Sequence, residues 1–210
     1  FWEPLAATMK PYVLDMTTGP HNIRIQLAPS QHGAVLRVTF PKGRLDLPET
    51  KTQRKRICFK VPGGANGKNG GGQFHNFSSS QMWMELTSLQ AKNVPKDFAF
   101  RLRAEVDKKT LHNKFPLQIV RTEDVQCFEF HKKETVVTVW IGTSLISFSQ
   151  ARLNLEREVR GRTFEQVKQE SRLAWRKLLR RIDIPDPVPL TAQSIQRLTL
   201  FYTSLYRALS

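Results

Sequence analysis

Trp140-Ile141-Gly142-Thr143-Ser144-Leu145-Ile146-Ser147 is the stretch at which the chain changes character, from period-two strand patterns before it to helical patterns after it. Ser147 is followed three places later by Gln150, and Thr163 by Gln166. Both pairs have the form of a capping box, in which a hydroxyl accepts an orphan backbone N–H and a glutamine reaches back to the cap. Beyond Thr163 the apolar residues Phe164, Val167, Ala174, Trp175, Leu178 and Ile182 keep a three-and-four spacing, with Lys168, Glu170, Arg176 and Arg180 on the opposite face. That spacing predicts an amphipathic helix whose apolar stripe needs a partner, and the only large apolar partner upstream is a sheet. Pro185-Asp186-Pro187-Val188-Pro189 then predicts a stiff extended connector. A last helix begins near Thr191 with Ile195, Leu198, Tyr202, Leu205 and Leu209 on one face. Its stripe runs to the final residues without a cap, which predicts that the natural polypeptide continues.

Working back toward the start, alternating runs predict strands over 12–16, 22–27, 34–40, 57–61, 82–86, 98–106, 126–130 and 135–141. Pro29-Ser30-Gln31-His32-Gly33 is turn chemistry, so the runs on either side of it are expected to pair antiparallel. Many short strands with turn punctuation and little helix before Ser147 indicate an antiparallel β-sandwich with helices at the C-terminal end. With 210 residues and 40% apolar content the chain can bury a real core. It holds no apolar run of about 18 residues, the length a membrane-crossing helix needs. Phe1-Trp2-Glu3-Pro4 lacks the basic start of a secretory leader.

The charge is unusual: 33 Lys and Arg against 18 Asp and Glu, a net +15. Such a balance attracts nucleic acid, anionic membrane surfaces or acidic glycans. The basic residues are nevertheless spread along the chain, the densest cluster being the short Arg54-Lys55-Arg56, and the helices interleave Glu156, Glu158, Glu165 and Glu170 with their arginines. Solvated helix faces account for that pattern as well as a binding patch does.

Motifs of chemistry are sparse. The glycine-rich run 63–72 departs from a P-loop, with Pro62 at the first glycine position and Asn69 after the lysine, and it reads as a hairpin loop. Asn76-Phe77-Ser78 is a glycosylation sequon. Cys58 and Cys127 lie in alternating runs and read as buried free thiols in preference to a disulfide, because two cysteines define no framework. His21, His32, His75, His112 and His131 are isolated and lack metal-ligand spacing, so no metal is assigned. Glu85, Glu105, Glu123 and Asp124 read as solvated strand or turn residues, and no nucleophile–base set is identifiable.

The helical half carries a resemblance. The run Gly142 to Glu156, then Phe164-Glu165-Gln166-Val167, Ala174-Trp175, Leu178 and Ile182, and finally Phe201-Tyr202-Thr203-Ser204-Leu205-Tyr206-Arg207 resemble glycoside hydrolase family 92. In that family a GxSxxSxxxAxxNLxxE segment, a tryptophan helix and an FYTxLY helix occur in this order. Arg37-Val38-Thr39-Phe40-Pro41 is similar to the family's strand ending in TFP. The resemblance implies a calcium-dependent, inverting, exo-acting α-mannosidase with an N-terminal β-sandwich of the galactose-mutarotase-like type, a helical linker and an (α/α)6 catalytic barrel. On that map, residues 1–146 are sandwich, 147–184 linker helices, 185–190 a proline-rich connector and 191–210 the start of the barrel.

The resemblance also implies that the catalytic acid, the base and the calcium ligands lie outside this chain. It therefore carries over no catalytic residue, and the piece alone is expected to be inactive. Trp175 is expected to anchor the linker against the sandwich. Asn154 and Glu156 are expected to bond backbone at the sheet–helix joint, and Tyr202, Tyr206 and Arg207 to pack against the barrel wall in preference to lining the sugar cleft. The implied partners are a mannose-containing glycan and the chain's own barrel, and the implied location is secreted, periplasmic or lumenal. Nucleic acid is not the expected partner despite the charge. The alternative reading is a basic, non-catalytic β-sandwich that binds an anionic glycan or nucleic acid.

Overall fold

The computed structural model describes residues 7–18, 21–41, 55–61, 71–78, 80–87, 98–111, 125–131, 133–185 and 191–209. Among the described residues ten strands precede three α-helices: β1 Thr8–Lys10, β2 Val13–Thr17, β3 Arg24–Pro29, β4 Gly33–Thr39, β5 Lys55–Lys60, β6 Gly71–Phe77, β7 Gln81–Thr87, β8 Ala99–Val106, β9 Val125–Phe130 and β10 Val136–Ser144, then α1 Phe148–Glu158, α2 Phe164–Leu179 and α3 Ala192–Leu209. All eight runs read as strands are strands. The short β1 and the glycine-led β6 were not predicted, since neither offers an alternating apolar pattern.

Eight strands form one sheet in the order β1-β2-β3-β4-β10-β8-β7-β6, and β5 pairs with β9 in a separate two-stranded ribbon. Every pairing is antiparallel, including the β3–β4 hairpin expected around the Pro29–Gly33 turn. Because β5 pairs with β9 and β6 with β7, the glycine-rich run does not close a hairpin: it joins strands of different sheets, and residues 63–70 of it lie outside the described residues. Arg54, His112, Glu123, Asp124 and residues 186–190 of the connector also lie outside them.

Alternation along the central strands sorts two cores onto opposite faces of the large sheet. On one face Val38, Met82, Met84, Leu102, Ala104, Val106, Val137, Val139 and Ile141 pack with Val61, Phe128 and Phe130, the last two from the ribbon. On the other face Ala28 and Val35, with Val13 beside them, meet Leu155 and Val159 at the C-terminal end of α1 and Phe164 and Val167 of α2. The architecture is thus ribbon, sheet, helices, and the predicted sandwich is strongly unequal in its two halves.

The cysteines overturn a sequence expectation. Cys58 and Cys127 are directly opposed across the β5–β9 register and form a disulfide, with Cα atoms 4.0 Å apart, instead of remaining free thiols. Cross-strand register placed them together, and spacing in sequence carries no information about register.

Candidate functional site: the joint between sheet and helices

The joint is built by the Gly142–Glu158 segment. A side chain at Gly142 would meet the carbonyl oxygen of Ala151, and its Cβ would lie 2.5 Å from Leu155 Cβ and 2.7 Å from Leu155 N. Glycine therefore lets α1 lie directly on β10, with Ala151 and Leu155 fully buried at the contact. Ser144 turns the chain out of the strand by accepting N–H bonds from Ile146 at 2.9 Å and Ser147 at 3.3 Å. Ser147 then caps α1 by accepting from Gln150 N at 3.0 Å. Thr163 and Gln166 make a complete capping box on α2.

Asn154, nearly buried, donates to the Thr143 carbonyl at 2.8 Å and accepts from Gln150 Nε2 at 2.8 Å. It ties the helix to the strand end through backbone. Glu156 does not share that role: its carboxylate faces Arg152 at 3.8 Å and Arg160 at 3.6 Å on the helix surface. The acid that reaches the sheet is Glu158, which accepts from His32 N at 2.8 Å and lies 2.8 Å from the His32 ring nitrogen. Burial pushes the Glu158 carboxyl up, but the bonds from His32 outweigh it and hold the group below the ordinary range. The last position of the family segment, three places after Leu155, falls on Glu158, and that was the signal available for it.

The helix-facing side of β7 and β8 is polar and largely self-neutralised. Glu85, expected to be solvated, is mostly buried, with His75 at 2.9 Å and Arg101 at 2.9 Å. Desolvation raises its pKa, and the His75 bond and the Arg101 charge more than reverse that, leaving it lowered. Glu105, also expected to be solvated, is 4% exposed and sits between Arg103 and Arg160, the latter at 3.2 Å. These two carboxylates do not make a hydrolytic pair. Glu105 is opposite Gln81, four residues from Glu85 along β7, so they stand roughly 13 Å apart at about 3.3 Å per residue, beyond the span of an inverting pair. Trp83 lies under Arg103 at 4.5 Å and beside Phe148 at 5.2 Å, which completes a layer of stacked rings and guanidinium groups.

Trp175 was expected against the sandwich. Instead it is half-buried at the α2–α3 contact, its ring 4.8 Å from that of Tyr206. Phe164 and Val167, one end of the same stripe, dock α2 on the sheet. The helix stops at Leu179, and Ile182, expected on the stripe, is 48% exposed. Tyr202 stacks edge-on with Phe201 at 5.2 Å, and its hydroxyl donates weakly to the Ile182 carbonyl at 3.4 Å. Arg207 is exposed on α3. No α3 residue is buried among the described residues. An open hollow of about 860 Å³ lies where α1 ends beside α2 and α3, lined in part by Arg157, Glu158, Arg162, Trp175 and Leu209. Among the described residues no three His, Cys, Asp or Glu side chains group as a metal site.

Residues 150–210 match the model of the glycosyl hydrolase family 92 catalytic domain. No curated protein matches the chain. Among solved structures, the family GH92 inverting mannosidase BT2199 from Bacteroides thetaiotaomicron VPI-5482 is 19% identical with a TM-score of 0.71 over 98% of this chain and 26% of its own. The family GH92 α-mannosidase BT3965 from Bacteroides thetaiotaomicron, in complex with mannoimidazole, is 16% identical with a TM-score of 0.66 over 99% of this chain and 27% of its own. The GH92 family glycosyl hydrolase ccman5 is 18% identical with a TM-score of 0.58 over 98% and 28%. This chain thus spans about a quarter of the length of the solved relatives. The resemblance first carried by Gly142 to Arg207 holds at both levels, residues 150–210 matching glycosyl hydrolase family 92 in sequence and the chain as a whole sharing the fold of a quarter of solved GH92 enzymes.

Proposed function

We propose that the protein to which this chain belongs is an exo-acting, inverting α-mannosidase that releases terminal α-mannose from glycans. In this reading the chain supplies the non-catalytic N-terminal sheet, the linker and the first helix of the catalytic barrel. The observation that carries the reading is the coincidence of two matches: a catalytic-domain sequence match beginning within α1, and a fold match that continues across the whole sheet. Inversion needs two carboxyl groups, one protonating the leaving oxygen and one activating water on the opposite face of the sugar. Among the described residues Asp15, Glu85, Glu105, Glu129, Glu158 and Glu170 are engaged by arginine or histidine in structural pairs, and the reacting pair is assigned to sequence outside this chain.

Calcium belongs to the same proposal. The described residues offer no grouping that fits it. Tyr202, Tyr206 and Arg207 are assigned to packing between the first barrel helix and its neighbours, for which an exposed, regularly spaced face is suited. The Cys58–Cys127 bridge supports maturation in an oxidising compartment, in line with a secreted, periplasmic or lumenal enzyme.

The test is to express the intact protein and follow α-linked mannobiosides by proton NMR. Release of β-mannose first, abolished by a calcium chelator and restored by calcium, is the expected result. A folded intact protein that leaves every α-mannoside untouched would overturn the assignment. The 210-residue chain assayed alone is expected to release no mannose.

A further inference from the structure

The carboxylates of α1 and α2 are all committed away from the C-terminal half of α2. Glu156 faces Arg152 and Arg160, Glu158 holds His32, Glu165 pairs with Arg37 and Lys168, and Glu170 with Arg162. What remains at the end of α2 is a run of exposed cations: Arg172, Arg176, Lys177, Arg180 and Arg181. Arg172 lies over the Tyr12 ring at 5.8 Å. The other four have no carboxylate partner among the described residues, where the only acid adjoining them in sequence is the exposed Asp183.

Arg172 and Arg176 stand one i, i+4 step apart on one flank of the apolar stripe and Lys177 lies on the other, while Arg180 caps the helix and Arg181 follows in the turn beyond it. Like charges at that spacing repel, by about 0.2–0.5 kcal/mol per pair. The helix macrodipole favours Arg176 and Lys177 in the last turn, and Arg172 rests on the Tyr12 ring. A run of exposed cations at one helix end, whose nearest helical acids are drawn elsewhere, has the form of a binding face for an extended polyanion.

We propose that the C-terminal half of α2 is a docking surface for a polyanionic polysaccharide, one carrying carboxylate or phosphate groups along its length, and that it holds an acidic glycan near the domain that acts on mannose. This rests on the mannosidase reading for the choice of a glycan over nucleic acid.

The test uses the intact protein and a variant carrying Arg176→Gln, Lys177→Gln, Arg180→Gln and Arg181→Gln, all at exposed positions. Polygalacturonate, a phosphate-substituted mannan, neutral mannan and a DNA duplex are the probes, and binding is followed across a salt series. Binding of both acidic polysaccharides, steeply weakened by salt and at least tenfold poorer in the variant, with little binding of neutral mannan, is the expected result. The proposal is overturned if the variant binds the acidic probes as the parent does, if neutral mannan binds equally well, or if DNA binds more tightly than either acidic polysaccharide. A large fall in melting temperature of the intact variant would also overturn it, by assigning the cations to a contact within the protein. Hydrolysis of a small neutral mannoside, expected to be unchanged in the variant, is read separately, so its absence in the parent would sink the mannosidase reading and leave the binding result standing.

Discussion

At Gly142 the space for a side chain is already taken by backbone atoms of α1, so no rotamer change can relieve an added methyl group. Gly142→Ala is expected to destabilise the chain by about 1–3 kcal/mol, read as a lower urea midpoint with an unchanged slope. A neutral result would mean that α1 can lift from β10 at no cost. Glu158 makes a pH prediction of definite sign. Its folded pKa is lowered from the ordinary 4.5, so its contribution is fully present above that value and is lost as pH falls through the lowered one. Glu158→Gln should flatten the acid limb of melting temperature against pH below about 4.5, relative to the parent. An identical acid limb in both proteins would remove the His32–Glu158 contact from the account. Asn154 was legible because its place inside the family segment is followed immediately by a buried leucine. Glu158 was missed because the quoted run stopped at Glu156, two residues short of the acid that reaches the sheet.

Among the elements, α2 teaches most about the limits of periodicity. Its stripe from Phe164 to Ile182 was read as one docking face, yet only Phe164 and Val167 are buried. Periodicity tells which way a helix faces and says nothing about how far its partner extends. The sheet lies under the first turns, and beyond them Trp175 turns to Tyr206. Phe164→Ala should therefore cost about 3–5 kcal/mol, whereas Trp175→Ala in this chain should cost about 1–2 kcal/mol, as suits a half-buried ring. Equal losses in chemical denaturation would contradict this division of the helix. The strands were the easier part, since period-two runs between turn residues leave little choice of structure. β6 escaped because glycine and polar residues fill most of it, and its pairing with β7 is visible only once the chain is folded.

For the molecule as a whole, the two-stranded ribbon is both the smaller half of the sandwich and the half that holds the disulfide. The cysteines are 69 residues apart in sequence, and closing a loop of that length stabilises a fold by about 4 kcal/mol in the chain-entropy treatment. Replacing both with serine should lower the melting temperature and make the ribbon strands the first to exchange their amide protons. If melting and exchange are unchanged, Phe128 and Phe130 alone suffice to hold the ribbon. Composition gave a correct sense of class and an incomplete sense of charge. The net +15 was read as dispersed, but dispersal along the sequence does not ensure neutralisation in space, and the end of α2 is where the two part company.

The position of β10 has a consequence for how the chain is made. It is the last strand of the β region in sequence, yet it lies between β4 and β8 and joins the early β1–β4 meander to the later β6–β8 one. Until residues 136–144 leave the ribosome, each meander carries an unpaired edge and a bare apolar face, the condition in which nascent chains stick to one another. Synthesis should accordingly pass through a chaperone-dependent interval that ends when the keystone strand slots between its neighbours, and nascent chains stalled before Val136 should be far more aggregation-prone than those stalled after Glu158.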